Sequence, residues 1–217
     1  MAPRGKSSFA CRECGYVSPG WLGKCPGCGE WNTIEEAAPA RTSPRGAGTA
    51  VAVPAPLRLI DVDPTSQERL ATGLGEFDRV LGGGLVAGSV VLVGGEPGVG
   101  KSTLLLQTLL DMENRGVATL LVSGEESAAQ VKLRSVRLGG EGSKLRLLAE
   151  TQTENVVAAI DHLKPALCVV DSVQTLWSGE VGSAPGSVAQ IRDATAQLLR
   201  VAKDNGIALV LVGHVTK

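Results

Sequence analysis

The octet Gly95-Glu96-Pro97-Gly98-Val99-Gly100-Lys101-Ser102 constrains the fold of this chain more than any other feature. It follows an apolar run and opens a helical pattern, so it calls for a β-strand whose C-terminal end turns directly into a helix N-terminus. Gly95, Gly98 and Gly100 remove the Cβ atoms that would stop successive backbone N–H groups from turning inward around phosphate oxygens. The helix starting near Lys101 adds the positive end of its dipole, Lys101 reaches the β- and γ-phosphates, and the Ser102 hydroxyl can ligate magnesium. Thr103 supports the α-phosphate region. The expected nucleotide-binding residues are therefore Gly95, Glu96, Pro97, Gly98, Val99, Gly100, Lys101, Ser102 and Thr103, with ATP and Mg2+ as ligands. The plain alternative is a glycine-rich strand-to-helix turn carrying a solvated lysine.

From Leu70 onward short β-rich runs alternate with helical patterns, the signature of an α/β fold with a parallel sheet flanked by helices. Strands are expected at 89–93, 118–123, 145–148, 166–171 and 207–212, each nearly continuous in apolar residues as a strand buried on both faces should be. Helices are expected at 101–114, 127–138, 153–163 and 187–203. Thr151-x-x-Glu154 and Ser187-x-x-Gln190 read as capping boxes. In the last helix Val188, Ile191, Leu198 and Leu199 share one face at the 3.6-residue period.

In such a sheet the carboxyl ends of the strands line the site. Leu167-Cys168-Val169-Val170-Asp171 puts Asp171 where a carboxylate can hold a magnesium-bound water, the Walker B position, although a strand-end aspartate also caps ordinary turns. Glu125 in Ser123-Gly124-Glu125-Glu126 is the expected orienter or base for the attacking water, while Glu126 reads as a first-turn carboxylate favoured by the helix dipole. His214, just past the last strand, could feel the γ-phosphate or be a hydrogen-bonded surface group. Lys101, Glu125 and Asp171 are the expected catalytic set. His162, late in a helix, reads as solvated, and Cys168 as a small buried hydrophobe.

Four of the five cysteines fall between positions 11 and 28. Cys11-x-x-Cys14 and Cys25-x-x-Cys28 are two thiolate pairs on glycine-containing turns, the spacing that wraps four sulfurs around a structural Zn2+; a disulfide pair or an iron–sulfur cluster competes with that reading. So small a unit needs such a staple. Trp21 and Trp31 flank the second pair and either shield the metal or stack on a base.

The chain thus divides into a four-cysteine ribbon at 9–34, a flexible Ala/Pro/Gly/Ser/Thr linker at 35–56, and an α/β core at 57–217. With 217 residues, 43% of them hydrophobic, the core is large enough to be well packed, and a net charge of −1 provides no global basic field for nucleic acid. The N-terminus has no apolar h-region and no run approaches the ~20 residues of a membrane span, so the expectation is a cytoplasmic protein without membrane contact.

The ribbon, the linker and the P-loop core together resemble the bacterial RadA (Sms) DNA-repair ATPase family, a RecA-like group. The resemblance rests on Thr72-Gly73-Leu74-Gly75-Glu76-Phe77-Asp78-Arg79-Val80-Leu81-Gly82-Gly83-Gly84-Leu85, on Gly94 through Gln107, and on Asp171-Ser172-Val173-Gln174-Thr175 through Ser183-Ala184-Pro185-Gly186-Ser187. It implies a RecA-like P-loop fold and a DNA-dependent ATPase acting in recombinational repair on recombination intermediates. The implied partners are single-stranded or branched DNA, a recombinase protein and, in a homo-hexamer, further copies of the chain. It also implies that the loop after Asp171, with Trp177 and its neighbours, faces DNA, and that the sheet order brings Asp171 near Glu125. Members continue past the position of Lys217 with a Lys-Asn-Arg-Phe-Gly motif and a Lon-protease-like C-terminal domain. Two other readings stay open: a different RecA-like ATPase, and a nucleotide- and zinc-binding module without turnover.

Overall fold

The computed structural model describes residues 8–37, 56, 58–61 and 68–214. The chain divides into two compact units, with the boundary between Glu68 and Arg69.

The first unit is a three-stranded antiparallel sheet of β1 (Ser8–Cys11), β2 (Val17–Ser18) and β3 (Ile34–Ala37), in the order β2-β1-β3. Strand β3 runs three residues past the expected end of the ribbon at 34, because pairing Ala10 with Glu35 and Phe9 with Glu36 satisfies backbone groups that a linker would leave to water. The remainder of the expected linker falls almost wholly on 38–55, outside the described residues.

In the second unit, β4 (Arg69–Leu70) pairs antiparallel with β5 (Leu85–Val86) around the short helix α1 (Gly75–Val80). The main sheet comprises β6 (Val90–Gly95), β7 (Thr119–Ser123), β8 (Arg146–Ala149), β9 (Leu167–Asp171) and β10 (Ala208–His214), all parallel, in the order β6-β10-β9-β7-β8. Each expected strand is present, displaced by at most two residues at an end. The interleaved helices are α2 (Lys101–Asn114), α3 (Ala128–Arg137), α4 (Thr153–Leu163) and α5 (Val188–Asn205).

Alternate residues of each strand enter opposite halves of the core. Leu120, Val122, Cys168, Val170, Leu209 and Leu211 pack with α4 and α5; Leu121, Leu167, Val169, Val210 and Val212 pack with α2 and α3. Burial on both faces, which the continuous apolar runs predict for every strand, holds for the central strands β7, β9 and β10; the edge strands β6 and β8 are only partly covered, and Leu92 of β6 is 67% exposed. Cys168 is fully buried, and desolvation pushes its thiol well above the ordinary range, which makes it an inert core residue.

Two helix starts differ from expectation. The Thr151/Glu154 capping box does not form: the N-cap of α4 is Gln152, without a side-chain cap, and the turn leading into it is held by Glu150, whose Oε1 accepts the N–H groups of Thr151 (2.7 Å) and Gln152 (3.0 Å). Glu154 turns to the Ser178 hydroxyl (2.6 Å). At α5, Ser187 accepts from the Gln190 N–H, but the Gln190 side chain points into the protein rather than back to the cap. There Oε1 accepts the Ser178 N–H (2.7 Å), and Nε2 donates to the carbonyls of Ser178, Val181 and Ser183. The buried stripe of α5 is Gln190, Ala194, Leu198, Val201 and Ala202; of the expected face Leu198 is buried, Ile191 and Leu199 are half-buried, and Val188 is exposed. A capping box does form on α3, between Ser127 and Gln130, and makes Ser127 the cap rather than the first helical residue, so the helix begins one residue after the expected 127.

The Gln152 N–H, the Asn155 amide and the Thr151 N–H all favour the ionised Glu150 and lower its pKa. A depressed folded-state pKa contributes stability above the ordinary carboxylate value of about 4.3, and that stability is lost as pH falls through the folded value. Glu150→Ala is expected to cost about 1 kcal/mol at neutral pH, with the gap to the unaltered chain narrowing below about pH 4; denaturant unfolding at both pH values measures it.

Candidate functional site

The order β6-β10-β9-β7 lines up the carboxyl ends of four strands. Register pairs Ser123 with Asp171 and His214 with Gly95, so the residues that follow these positions meet above one edge of the sheet. A cleft of about 360 Å³ opens there. Of the expected nucleotide residues, Pro97, Gly98, Gly100, Lys101, Ser102, Thr103 and His214 line it, as do the expected catalytic residues Lys101, Glu125 and Asp171. Gly95 and Glu96 contribute through their carbonyls, and Val99 points to solvent, 69% exposed.

Gly98 and Gly100 have φ of +79° and +101°, the left-handed region that a side chain would strain, and they turn the chain from β6 into α2. Lys101 is 7% exposed; its ammonium donates to the carbonyls of Gly95 (2.8 Å) and Glu96 (2.9 Å) and lies 3.4 Å from His214 Nδ1. Backbone donors, a held cation and a helix N-terminus thus converge on one place, the arrangement that suits phosphate.

Opposite the loop, Glu125 Oε1 accepts the Ser172 hydroxyl (2.6 Å) and lies 2.9 Å from His214 Nε2. Burial raises the Glu125 pKa, but the Ser172 hydroxyl, His214 and the nearby charge of Lys101 outweigh it, and the net shift is downward. Glu125 is therefore a fixed carboxylate at neutral pH, better suited to orienting a water than to retaining a proton. Ser172 adjoins Asp171 in sequence, and the Gly124 N–H donates to the Asp171 carbonyl (2.8 Å), which joins the two loops.

Asp171 Oδ1 is buried with no hydrogen-bond partner among the described residues. A buried carboxylate oxygen without a donor calls for a cation or an ordered water. The Ser102 hydroxyl lines the same cleft, so these two side chains fit Mg2+.

Three residues that line the cleft, Ser123, Glu126 and Arg134, have no site role in the sequence reading, and neither do Ser172 and Gln174, which lie behind the lining and hold Glu125 and the His214 backbone. Glu126 does not occupy the first turn of α3; the helix begins at Ala128 behind its Ser127 cap, and the Glu126 carboxylate faces the cleft, paired with Arg134. The Ser127-x-x-Gln130 pattern could have placed it outside the helix. Ser123 closes the turn, its hydroxyl bonding the Glu126 carbonyl (2.8 Å).

The segment after Asp171 is fastened over its first half. Trp177 exchanges backbone hydrogen bonds with Thr151 and Thr153, its indole N–H donates to Thr151 Oγ1 (3.3 Å), and Leu176 and Ser178 are buried. Gly179, Glu180, Gly182 and Ala184–Gly186 are well exposed, whereas Trp177 is half-buried and held through its backbone and indole N–H. His162 is exposed on α4, as expected.

In the first unit the Sγ atoms of Cys11, Cys14, Cys25 and Cys28 all lie within 4.8 Å of one another, with Cys11–Cys28 at 3.7 Å and Cys14–Cys25 at 3.5 Å. Four sulfurs tetrahedral about zinc at the usual bond length stand about 3.8 Å apart, so the cluster fits the ion and no disulfide is formed. Two turns of the same design present the pairs. Cys11 accepts from the Gly15 N–H and donates to Tyr16; Cys25 accepts from the Gly29 N–H and donates to Glu30. Burial opposes ionisation of Cys11, yet the Thr33 hydroxyl (3.2 Å) and backbone N–H groups lower its thiol to about 6. Phe9 and Ile34 pack against the sulfurs, whereas Trp21 and Trp31 are 60% and 67% exposed, with the Lys24 ammonium 5.6 Å from the Trp31 ring. The tryptophans do not shield the site.

A model of the rubredoxin metal binding domain matches residues 9–36, and a model of the AAA domain matches residues 54–217. The chain belongs to the AAA domain family. The expected resemblance to RadA holds along nearly its whole length. DNA repair protein RadA of Bacillus subtilis (strain 168) is 48% identical over 216 residues, covering 98% of this chain and 47% of that protein. RadA of Halalkalibacterium halodurans is 46% identical over 98% of this chain and 47% of its own length. For RadA of Pseudomonas aeruginosa the figures are 47%, 99% and 48%. The chain spans about half the length of these curated relatives. Among the described residues no helix is long and apolar enough to cross a membrane.

Metal analysis of the purified chain is expected to find about one zinc per chain. Cys25→Ser is expected to lose it and to unfold the ribbon, read as loss of dispersion in the NMR signals of residues 8–37.

Proposed function

We propose that this chain is a DNA-dependent ATPase of recombinational DNA repair that processes or branch-migrates recombination intermediates. The observation that carries this reading is the convergence of Lys101, Asp171 and a hydrogen-bonded Glu125 on one cleft at the ends of four parallel strands. The names of its relatives as DNA repair proteins support the biological setting.

In this reading the backbone from Gly98 to Gly100 and the start of α2 cradle the phosphates, and Lys101 neutralises the β- and γ-phosphates. Ser102 and Asp171 hold Mg2+, which supplies charge neutralisation across the phosphates. Thr103 supports the α-phosphate. Glu125 orients the attacking water, and its low proton affinity makes positioning its main contribution. Arg134 keeps Glu126 from adding an unpaired negative charge beside the phosphates. His214, touching both Lys101 and Glu125, reports whether the γ-phosphate is present. The single-stranded or branched DNA partner meets the exposed glycine- and serine-rich stretch after Gly179; no lysine or arginine lies between Asp171 and Arg192, so the donors for those contacts are backbone N–H and serine hydroxyl groups. A recombinase partner, assembly as a homo-hexamer and a cytoplasmic setting belong to the same reading.

Lys101→Ala is expected to abolish nucleotide binding, while Glu125→Gln keeps affinity within about threefold and lowers the hydrolysis rate by about a hundredfold or more. Phosphate release with and without single-stranded DNA, together with calorimetric binding, measures both. Tight ATP binding with no phosphate release under either condition would instead identify a nucleotide- and zinc-binding module.

A further inference from the structure

Strand β9 pairs with β10 only as far as Val170 and Leu211, whereas β6 continues to pair with β10 up to His214 and Gly95. Past Leu211 the side of β10 that faces β9 therefore has no strand partner. At His214 a side chain takes the strand's place. Gln174, in the 3-10 turn Val173–Thr175 that follows β9, donates its Nε2–H to the His214 carbonyl (3.0 Å) and accepts the His214 N–H at Oε1 (3.1 Å). The carboxamide orientation is determined by these partners, because only its oxygen can accept a backbone N–H.

A carboxamide carries a donor and an acceptor side by side, as a peptide group does, and so can complete a ladder that the neighbouring strand has left. No other side chain of this length does so: methionine offers neither group, and glutamate would set a second oxygen against the carbonyl. With its main chain clamped, His214 presents Nε2 to Glu125 (2.9 Å) and Nδ1 to Lys101 (3.4 Å). The same turn is seated on the opposite loop, since Ser172 holds Glu125 and Thr175 Oγ1 lies where a Cβ on Gly124 would be, 1.9 Å away. Gln174 itself does not line the cleft.

We propose that Gln174 is a positioning residue that fixes the His214 backbone so that the imidazole can discriminate nucleoside triphosphate from diphosphate. This rests on the nucleotide reading above. Without the clamp, the end of β10 loses both hydrogen bonds on that side, and His214 no longer holds one position between Glu125 and Lys101.

The test is calorimetric titration of the full chain with Mg2+·ADP and with a non-hydrolysable ATP analogue. The unaltered chain is expected to prefer the analogue. Gln174→Met, and the near-isosteric Gln174→Glu in case methionine unfolds the chain, are expected to keep ADP affinity within about twofold and lose about tenfold of the preference, the scale of one or two net hydrogen bonds. The ring resonances of His214, distinguishable because His162 is the only other histidine, are expected to move in both variants while those of His162 stay put. An unchanged preference, a parallel fall in affinity for both nucleotides, or an unaltered chain that binds both equally would overturn the proposal while leaving nucleotide binding intact. Failure of the unaltered chain to bind either nucleotide would overturn the functional reading itself, and the proposal with it.

Discussion

Parallel pairing of β9 between β7 and β10 underlies almost everything at the cleft. Because the three strands run in one direction with Ser123 opposite Asp171, their carboxyl ends deliver Glu125, Ser172 and His214 to a common level without any long excursion of the chain. The short hydrogen bonds among these side chains follow from that register. Each strand is buried on both faces, so slipping it by one residue would exchange the two halves of the core, and the site inherits its precision from that penalty. The phosphate loop joins at the same level because β6 pairs with β10 up to its last residue.

The first unit depends on a different physics. Its buried apolar residues are few, with Ile34 and Phe9 packed around Cys11, Cys14 and Cys25. A core of that size cannot offset the conformational entropy of about thirty ordered residues. What organises it is the demand of four crowded sulfurs for a cation, met by two turns built to the same plan.

Features governed by local spacing were readable in the sequence. The P-loop, the strand ending in Asp171 and the paired cysteines each need only a few neighbouring residues to define them, and the strands announced themselves by continuous apolar runs. What was not readable depends on partners far along the chain. Ser172 matters because Glu125 is opposite, and Gln174 because β9 leaves β10 early; neither fact is written in the residues around them. Gln190 reads as half of a local cap but serves the segment after Trp177, and of the expected apolar stripe of α5 only Leu198 is fully buried. Trp177, by the same token, is held by Thr151 and Thr153 from another part of the sheet.

The contact between Gly124 and Thr175 has a mechanical consequence. There is no space for even one methyl group between them, so position 124, the residue before Glu125, tolerates no side chain while Thr175 keeps its place. Close packing and the hydrogen bonds Gly124–Asp171 and Ser172–Glu125 therefore hold the two loops in one register beside the cleft.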